Sequence, residues 1–215
     1  MTKLKVKVCG MKVPSNIEEI AALGVDYMGF IFSKESKRFV GKDFDPVHLN
    51  LLHPPTQATG IFINEYLPNL LDKVDFYHFD AVQLHGDETA EYCRKLRNAL
   101  PDLEIIKAFS VDSEFDFAAL QPYTDSVTYF LFDKKGDARG GNGEHFDWKI
   151  LERYTLTTPY FLSGGISLED AEAIRSASEG SSLLVGIDLN SRFEKEMAVK
   201  DVSRVSQFIE KISNK

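Results

Sequence analysis

Eight short apolar runs recur along this 215-residue chain, separated by segments of helical periodicity, and this rhythm limits the fold more than any other feature. The runs are KVKVCG (Lys5 to Gly10), DYMGFIF (Asp26 to Phe32), ATGIFI (Ala58 to Ile63), AVQLHG (Ala81 to Gly86), EIIKAFS (Glu104 to Ser110), TYFLFD (Thr128 to Asp133), YFLSGG (Tyr160 to Gly165) and LLVGIDL (Leu183 to Leu189). Each has the length and β-branched or aromatic content of a strand, and several stop at glycine or a polar cluster. Between them, SNIEEIAALG (Ser15 to Gly24), ETAEYCRKLRNAL (Glu88 to Leu100), SLEDAEAIRSAS (Ser167 to Ser178) and KDVSRVSQFIEKI (Lys200 to Ile212) repeat apolar residues with a helical period. Ser15 with Glu18, and Ser167 with Asp170, have the spacing of a capping box. LPNLLDKV and SEFDFAAL are short and the sixth connection contains GDARGGNG, so the helical signal is weakest there.

Alternation of eight strands with helices predicts an α/β fold, a single-domain (β/α)8 (TIM) barrel spanning residues 1–215. The competing architecture, a doubly wound open sheet, usually carries a glycine fingerprint after its first strand, where this chain has only CGMKVP. In a barrel the chemistry sits at the C-terminal ends of the strands, so the residues closing each run are the candidates.

Composition narrows the partners. The net charge is −8 and the basic residues are scattered, so no broad positive face for nucleic acid is expected. A small anion remains compatible, because glycine loops and helix N-termini supply local positive potential. The segment MTKLKVKVCGMKVP places charge on nearly every second residue, and no stretch reaches the ~18 apolar residues of a membrane span. The expectation is a cytoplasmic protein without membrane contact, in which Cys9 and Cys93 stay reduced and unpaired. Oligomeric state is left at monomer or homodimer, since the outer helices of a barrel are patterned alike for either.

Cys9 closes the first run. A lone cysteine is most often a small buried hydrophobe, but at a strand tip a thiol titrating near ~8.5 can also serve as base or nucleophile. Asp133 closes the sixth after an apolar stretch, so its carboxylate must be solvated, paired or catalytic; desolvated, it would hold a proton and act as general acid. Beyond it, KKGDARGGNGEHFDW carries four glycines ahead of a short helix expected near Asp147, as either a connector or a closing loop. Gly164 and Gly165 after the seventh run, with Asn190 and Ser191 after the eighth, occupy the positions where barrels commonly hold phosphate. Arg38 in SKESKRFV has the planar fork that matches a carboxylate bidentately. His85 closes the fourth run, and its role is open between lining the pocket and capping the loop.

Taken together, KVCGM, GVDYMGFIFSKESKRFV, VQLHGDE, FLFDKKGDARGGNGEHFDW, FLSGGIS and GIDLNSRFE resemble, in order and over nearly the whole chain, the phosphoribosylanthranilate isomerase family of tryptophan biosynthesis. The resemblance implies a cofactor-free and metal-free Amadori rearrangement of N-(5-phosphoribosyl)anthranilate, a phosphosugar, to 1-(2-carboxyphenylamino)-1-deoxyribulose 5-phosphate. It assigns the general base to Cys9, the general acid to Asp133, the anthranilate carboxylate to Arg38 and the phosphate to Gly164, Gly165, Asn190 and Ser191. The chain departs from the family at NSRFEKEMAVKD, which lacks the glycine of a Ser-Ser-Gly turn and a Pro-Gly pair, and at GG-N-G, where GG-T-G is frequent. A related histidine-pathway isomerase resembles a two-aspartate enzyme, and indole-glycerol-phosphate synthase a lysine and glutamate enzyme. Cys9 with Asp133 separates this chain from both. A non-catalytic phosphosugar-binding barrel would need neither residue.

Overall fold

The computed structural model describes residues 3–134 and 148–213. The expected barrel is present. Eight parallel strands close in sequence order: β1 (Lys5–Cys9), β2 (Tyr27–Ile31), β3 (Gln57–Phe62), β4 (Ala81–Leu84), β5 (Glu104–Val111), β6 (Tyr129–Lys134), β7 (Tyr160–Leu162) and β8 (Leu184–Leu189), with β8 returning to β1. A small antiparallel pair, β9 (Glu194–Glu196) and β10 (Val199–Lys200), follows β8.

The strand period of two decides which side chains enter the barrel. In β1 the valines Val6 and Val8 face outward into the large core between barrel and helices, while Lys5, Lys7 and Cys9 face inward. The charged residues of this alternating strand are therefore the interior ones, since the helices cover the outer face and need the valines.

Among the described residues five α-helices cover the outside: α1 (Pro14–Ala21), α2 (Leu67–Tyr77), α3 (Ala90–Ala99), α4 (Ala171–Gly180) and α5 (Val202–Ser213). The predicted cap at Ser15 does not form. Pro14, preset at a helical φ, opens α1, and Val13 becomes the cap residue without a side-chain hydrogen bond. The Ser167 and Asp170 pairing does form, with the Ser167 N–H and Oγ both donating to the Asp170 carboxylate at 2.8 and 2.7 Å. After β2, β5 and β6 the connections hold 3₁₀ segments, Pro46–Leu51, Phe117–Tyr123 and Trp148–Arg153. The first opens on Pro46 under an Asp45 cap, and the second contains Pro122, which lacks the N–H that a continuing helix would use. The glycine-rich stretch Gly136 to Gly143 and Asp147 lie outside the described residues.

Inside the barrel, near the N-terminal ends of the strands, a separate core gathers Tyr27, Ala81, Ile106, Ala108, Leu131 and Phe161. Phe161 meets Tyr27 and Tyr129 edge-on, with ring centroids 5.5 and 5.3 Å apart. Gly186 on β8 makes room for it, since a Cβ there would run into the Phe161 ring. The barrel is thus filled from below, and its cavity lies at the C-terminal ends of its strands.

Candidate active site

At that open end lies a cavity of about 260 Å³. Larger grooves of about 510 and 740 Å³ lie on the outer wall around Phe76 and Tyr77, but neither touches a catalytic-type cluster at the strand tips. Cys9 from β1, Asp133 from β6 and Asp188 from β8 line the central cavity, with His85 after β4 and Ser163 to Ile166 after β7. Asn190, Ser191 and Arg192 close the side after β8. All but one of the residues singled out from the sequence therefore line a single space; Arg38 stands beside it.

Cys9 is 4% exposed and packs on Ile31 and Ile61. Burial among these side chains pushes the thiol pKa up. Lys7 and Lys200 pull it down and Asp188 pushes it up, but burial dominates. Lys7, fully buried two residues earlier on the same strand face, donates to Asp188 Oδ1 at 2.8 Å. Burial opposes the charge on Lys7, yet Asp188 and Cys9 outweigh it and raise the ammonium pKa, so Lys7 stands as a fixed cation beside the thiol. Gly29 leaves room for the sulfur, because a Cβ there would lie 3.2 Å from Cys9 Sγ.

The Asp133 side chain is 27% exposed, and its Oδ2 lies 3.4 Å from His85 Nε2. On the other side of the ring Gln83 Nε2 is 2.6 Å from His85 Nδ1. With the amide as donor, the imidazole proton sits on Nε2 and faces the Asp133 carboxylate. Sequence left His85 open between two roles; geometry sets it against Asp133.

Gly164 and Gly165 turn at φ +95° and +72°. A Cβ on Gly164 would collide with the Lys134 backbone nitrogen and come within 2.9 Å of Asp133 Oδ1, so glycine lets the turn press against the acid. Opposite it, Arg192 is exposed and is the only lysine or arginine among the described residues lining the cavity. In the NSR turn after β8 it stands in place of the glycine that the resemblance implies, so that turn carries a cation. Farther along, Ala198 turns the β9–β10 hairpin at φ +62°, the left-handed conformation that the missing Pro-Gly pair would supply more cheaply.

Arg38 is already engaged. Its Nε and Nη2 donate to the two oxygens of Glu194 at 2.7 and 2.6 Å. Burial works against the Glu194 carboxylate, but Arg38 and Lys200 outweigh it and hold its pKa below the usual range. Lys7, Glu194 and Lys200 were not marked by the sequence, where they read as ordinary charged residues. Of these, Lys7 carries a local signal: strand alternation puts it on the face of Cys9.

Fold and site together define a (β/α)8 barrel of the enzyme type, with a thiol, a carboxylate and an imidazole gathered in one cavity at the C-terminal strand ends. A family model described as N-(5'phosphoribosyl)anthranilate (PRA) isomerase matches residues 6–211. The N-(5'-phosphoribosyl)anthranilate isomerase of Parabacteroides distasonis is 41% identical over 210 residues, covering 96% of this chain and 92% of that protein. Among solved structures, phosphoribosyl anthranilate isomerase from Thermotoga maritima is 29% identical, with a TM-score of 0.82 over 97% of this chain and 98% of that one. A further structure of the isomerase, in complex with reduced 1-(o-carboxyphenylamino)-1-deoxyribulose 5-phosphate, is 28% identical, with a TM-score of 0.79 over 97% of this chain and 98% of that one. The chain belongs to the N-(5'-phosphoribosyl)anthranilate isomerase family, enzymes of tryptophan biosynthesis.

Proposed function

We propose that this cavity carries out the Amadori rearrangement of N-(5-phosphoribosyl)anthranilate with Asp133 as general acid and Cys9 as general base. The observation that supports this most is that the thiol and the carboxylate, from non-adjacent strands, line one cavity together with the Gly164–Gly165 turn. Asp133 in its acid form protonates the furanose ring oxygen, and the ring opens to a cationic iminium. The positive nitrogen acidifies the C2 hydrogen, which the Cys9 thiolate removes to give an enolamine. Protonation at C1 then yields the ketone. The hydroxyl on C2 loses its proton as C1 gains one, and the proton that Asp133 gives the ring oxygen matches the one that Cys9 takes from C2, so no co-reactant is required. A thiol whose pKa is raised by burial is a stronger base once ionised, and Lys7 offsets part of the cost of ionising it.

His85, held by Gln83, orients the Asp133 carboxylate. The turn of Gly164 and Gly165, the polar groups of Asn190 and Ser191, and the guanidinium of Arg192 receive the phosphate, and Arg38 receives the anthranilate carboxylate. Arg192 brings a full charge to a rim otherwise built from backbone and neutral groups, which suits a phosphate near its dianionic state. The direct test follows the fluorescence of freshly prepared phosphoribosylanthranilate on addition of the purified protein. Enzyme-dependent loss with formation of the deoxyribulose product is expected. No loss above the spontaneous breakdown rate would overturn the assignment.

A further inference from the structure

The ion pair on Arg38 raises the question of how a guanidinium already bound to a carboxylate can receive another. Glu194 uses only the side edge of the fork, Nε and Nη2. Nη1 makes no hydrogen bond among the described residues. Glu194 is also shared, because Lys200 Nζ donates to Glu194 Oε1 at 2.8 Å and to Asn190 Oδ1 at 2.8 Å. Two cations thus face one carboxylate, in surroundings where the Lys200 side chain is fully buried and that of Glu194 is 8% exposed. Charge is left over on the positive side, and a buried surplus of this kind favours an incoming anion. Gly10 allows the unit to sit over the peptide that follows Cys9. A Cβ at that position would lie 2.5 Å from Arg38 Cδ and 3.0 Å from Asn190 Oδ1.

We infer that Glu194 and Lys200 are positioning residues for substrate binding: Glu194 fixes the plane of the Arg38 fork, and Lys200 ties that fork to Asn190 on the phosphate rim. The two anionic ends of the substrate would then be met by one hydrogen-bonded unit, Arg38–Glu194–Lys200–Asn190, built on β2's following loop and the segment after β8. This rests on the reading of Arg38 as the carboxylate-holding residue proposed above. Balance of charge alone would give a different outcome from positioning. Removing Glu194 adds positive charge near the carboxylate, which should tighten binding if charge is what matters and weaken it if orientation is.

The test is a kinetic cycle on the full-length enzyme. Glu194→Gln is expected to raise KM about tenfold while kcat stays within about twofold, and Arg38→Met to raise KM at least as much. In the Arg38→Met background, adding Glu194→Gln should change KM by less than about twofold, because its effect passes through the missing arginine. Glu194→Gln combined with Lys200→Met keeps the net charge of the unit and avoids stranding two buried cations, so it serves where the single variant does not fold; its KM is expected to stay raised about tenfold. A wild-type KM in a folded Glu194 variant, or the same fold-increase with and without Arg38, overturns the inference. A wild-type KM in Arg38→Met instead overturns the reading of Arg38 beneath it.

Discussion

Lys5 and Lys7 lie two residues apart on β1 and both enter the barrel, but they meet different surroundings. Lys5 Nζ bonds the phenol oxygens of Tyr27 and Tyr129 at 2.9 and 3.1 Å and lies 5.1 Å from both ring centroids. Tyr27 passes the network on by donating to Glu104 at 2.7 Å, and Phe161 lies edge-on against both tyrosine rings. Every partner there is a barrel side chain of the same layer, half-buried or buried, so the lower layer is a plug. One layer up, Lys7 pairs with Asp188, a residue that faces the cavity, and lies beside a thiol. The same residue type on the same strand face therefore meets a packed aromatic layer at one end and the cavity-lining groups at the other, because of the two layers the upper one alone borders the cavity.

Breaking each lysine in turn tests that contrast. Lys7→Met leaves the Asp188 carboxylate, 5% exposed, without its partner, and should cost about 3–5 kcal/mol in chemical denaturation. It should also move the pH dependence of kcat/KM. Cys9 must be deprotonated to act, so activity rises with pH toward a thiol pKa already raised by burial. Of the charges facing it, Lys7 and Lys200 lower that pKa, Asp188 raises it, and Arg38 lies close enough to couple with it. Without Lys7 the ascending limb should shift to higher pH; an unmoved limb would reduce Lys7 to a packing role.

Cys9→Ala and Asp133→Asn should each lower kcat/KM by about 10²-fold or more while thermal unfolding stays near wild type, since neither side chain anchors the plug. Turnover near wild type in either would remove that residue from the mechanism. Lys5→Met gives the mirror image: a loss of about 1–2 kcal/mol in stability from its two hydrogen bonds, with kcat/KM unchanged in steady-state assays. A parallel fall in activity would mean the two layers are not independent. The smallest effect is expected at Arg192→Gln, a rise in KM of about threefold to tenfold with kcat unchanged and a weaker dependence of KM on salt, as befits an exposed charge at the rim.

Much of this architecture was legible beforehand. All eight strands fall within a few residues of the apolar runs, because a strand covered by helices on its outer face needs apolar residues there, at every second position at least. Helix starts were less legible: Ser15 has a capping side chain, but Pro14 one residue earlier already satisfies the opening turn. At the site, Cys9, Asp133, His85 and the Gly164–Gly165 turn could be located because each closes a strand, and strand ends converge in a barrel. Arg38 was found as a fork suited to a carboxylate, but its occupied edge was not foreseen. Glu194 lies 156 residues away along the chain, a separation over which single-residue patterns carry no information.

By itself, then, the sequence determined the order of strands and helices and hence the set of residues gathered at one end of the barrel, since strand period and connection length are local properties. Tertiary structure alone decided which of them touch. The pairing of Lys7 with Asp188 spans 181 residues and exists because barrel closure sets β8 against β1 in the register that places these two side by side. Burial was decided in the same way. Cys9 is a strand-end thiol in any reading of the chain, but its raised pKa comes from burial against Ile31 and Ile61, which outweighs the lowering by Lys7 and Lys200, and only the closed barrel brings these groups against it.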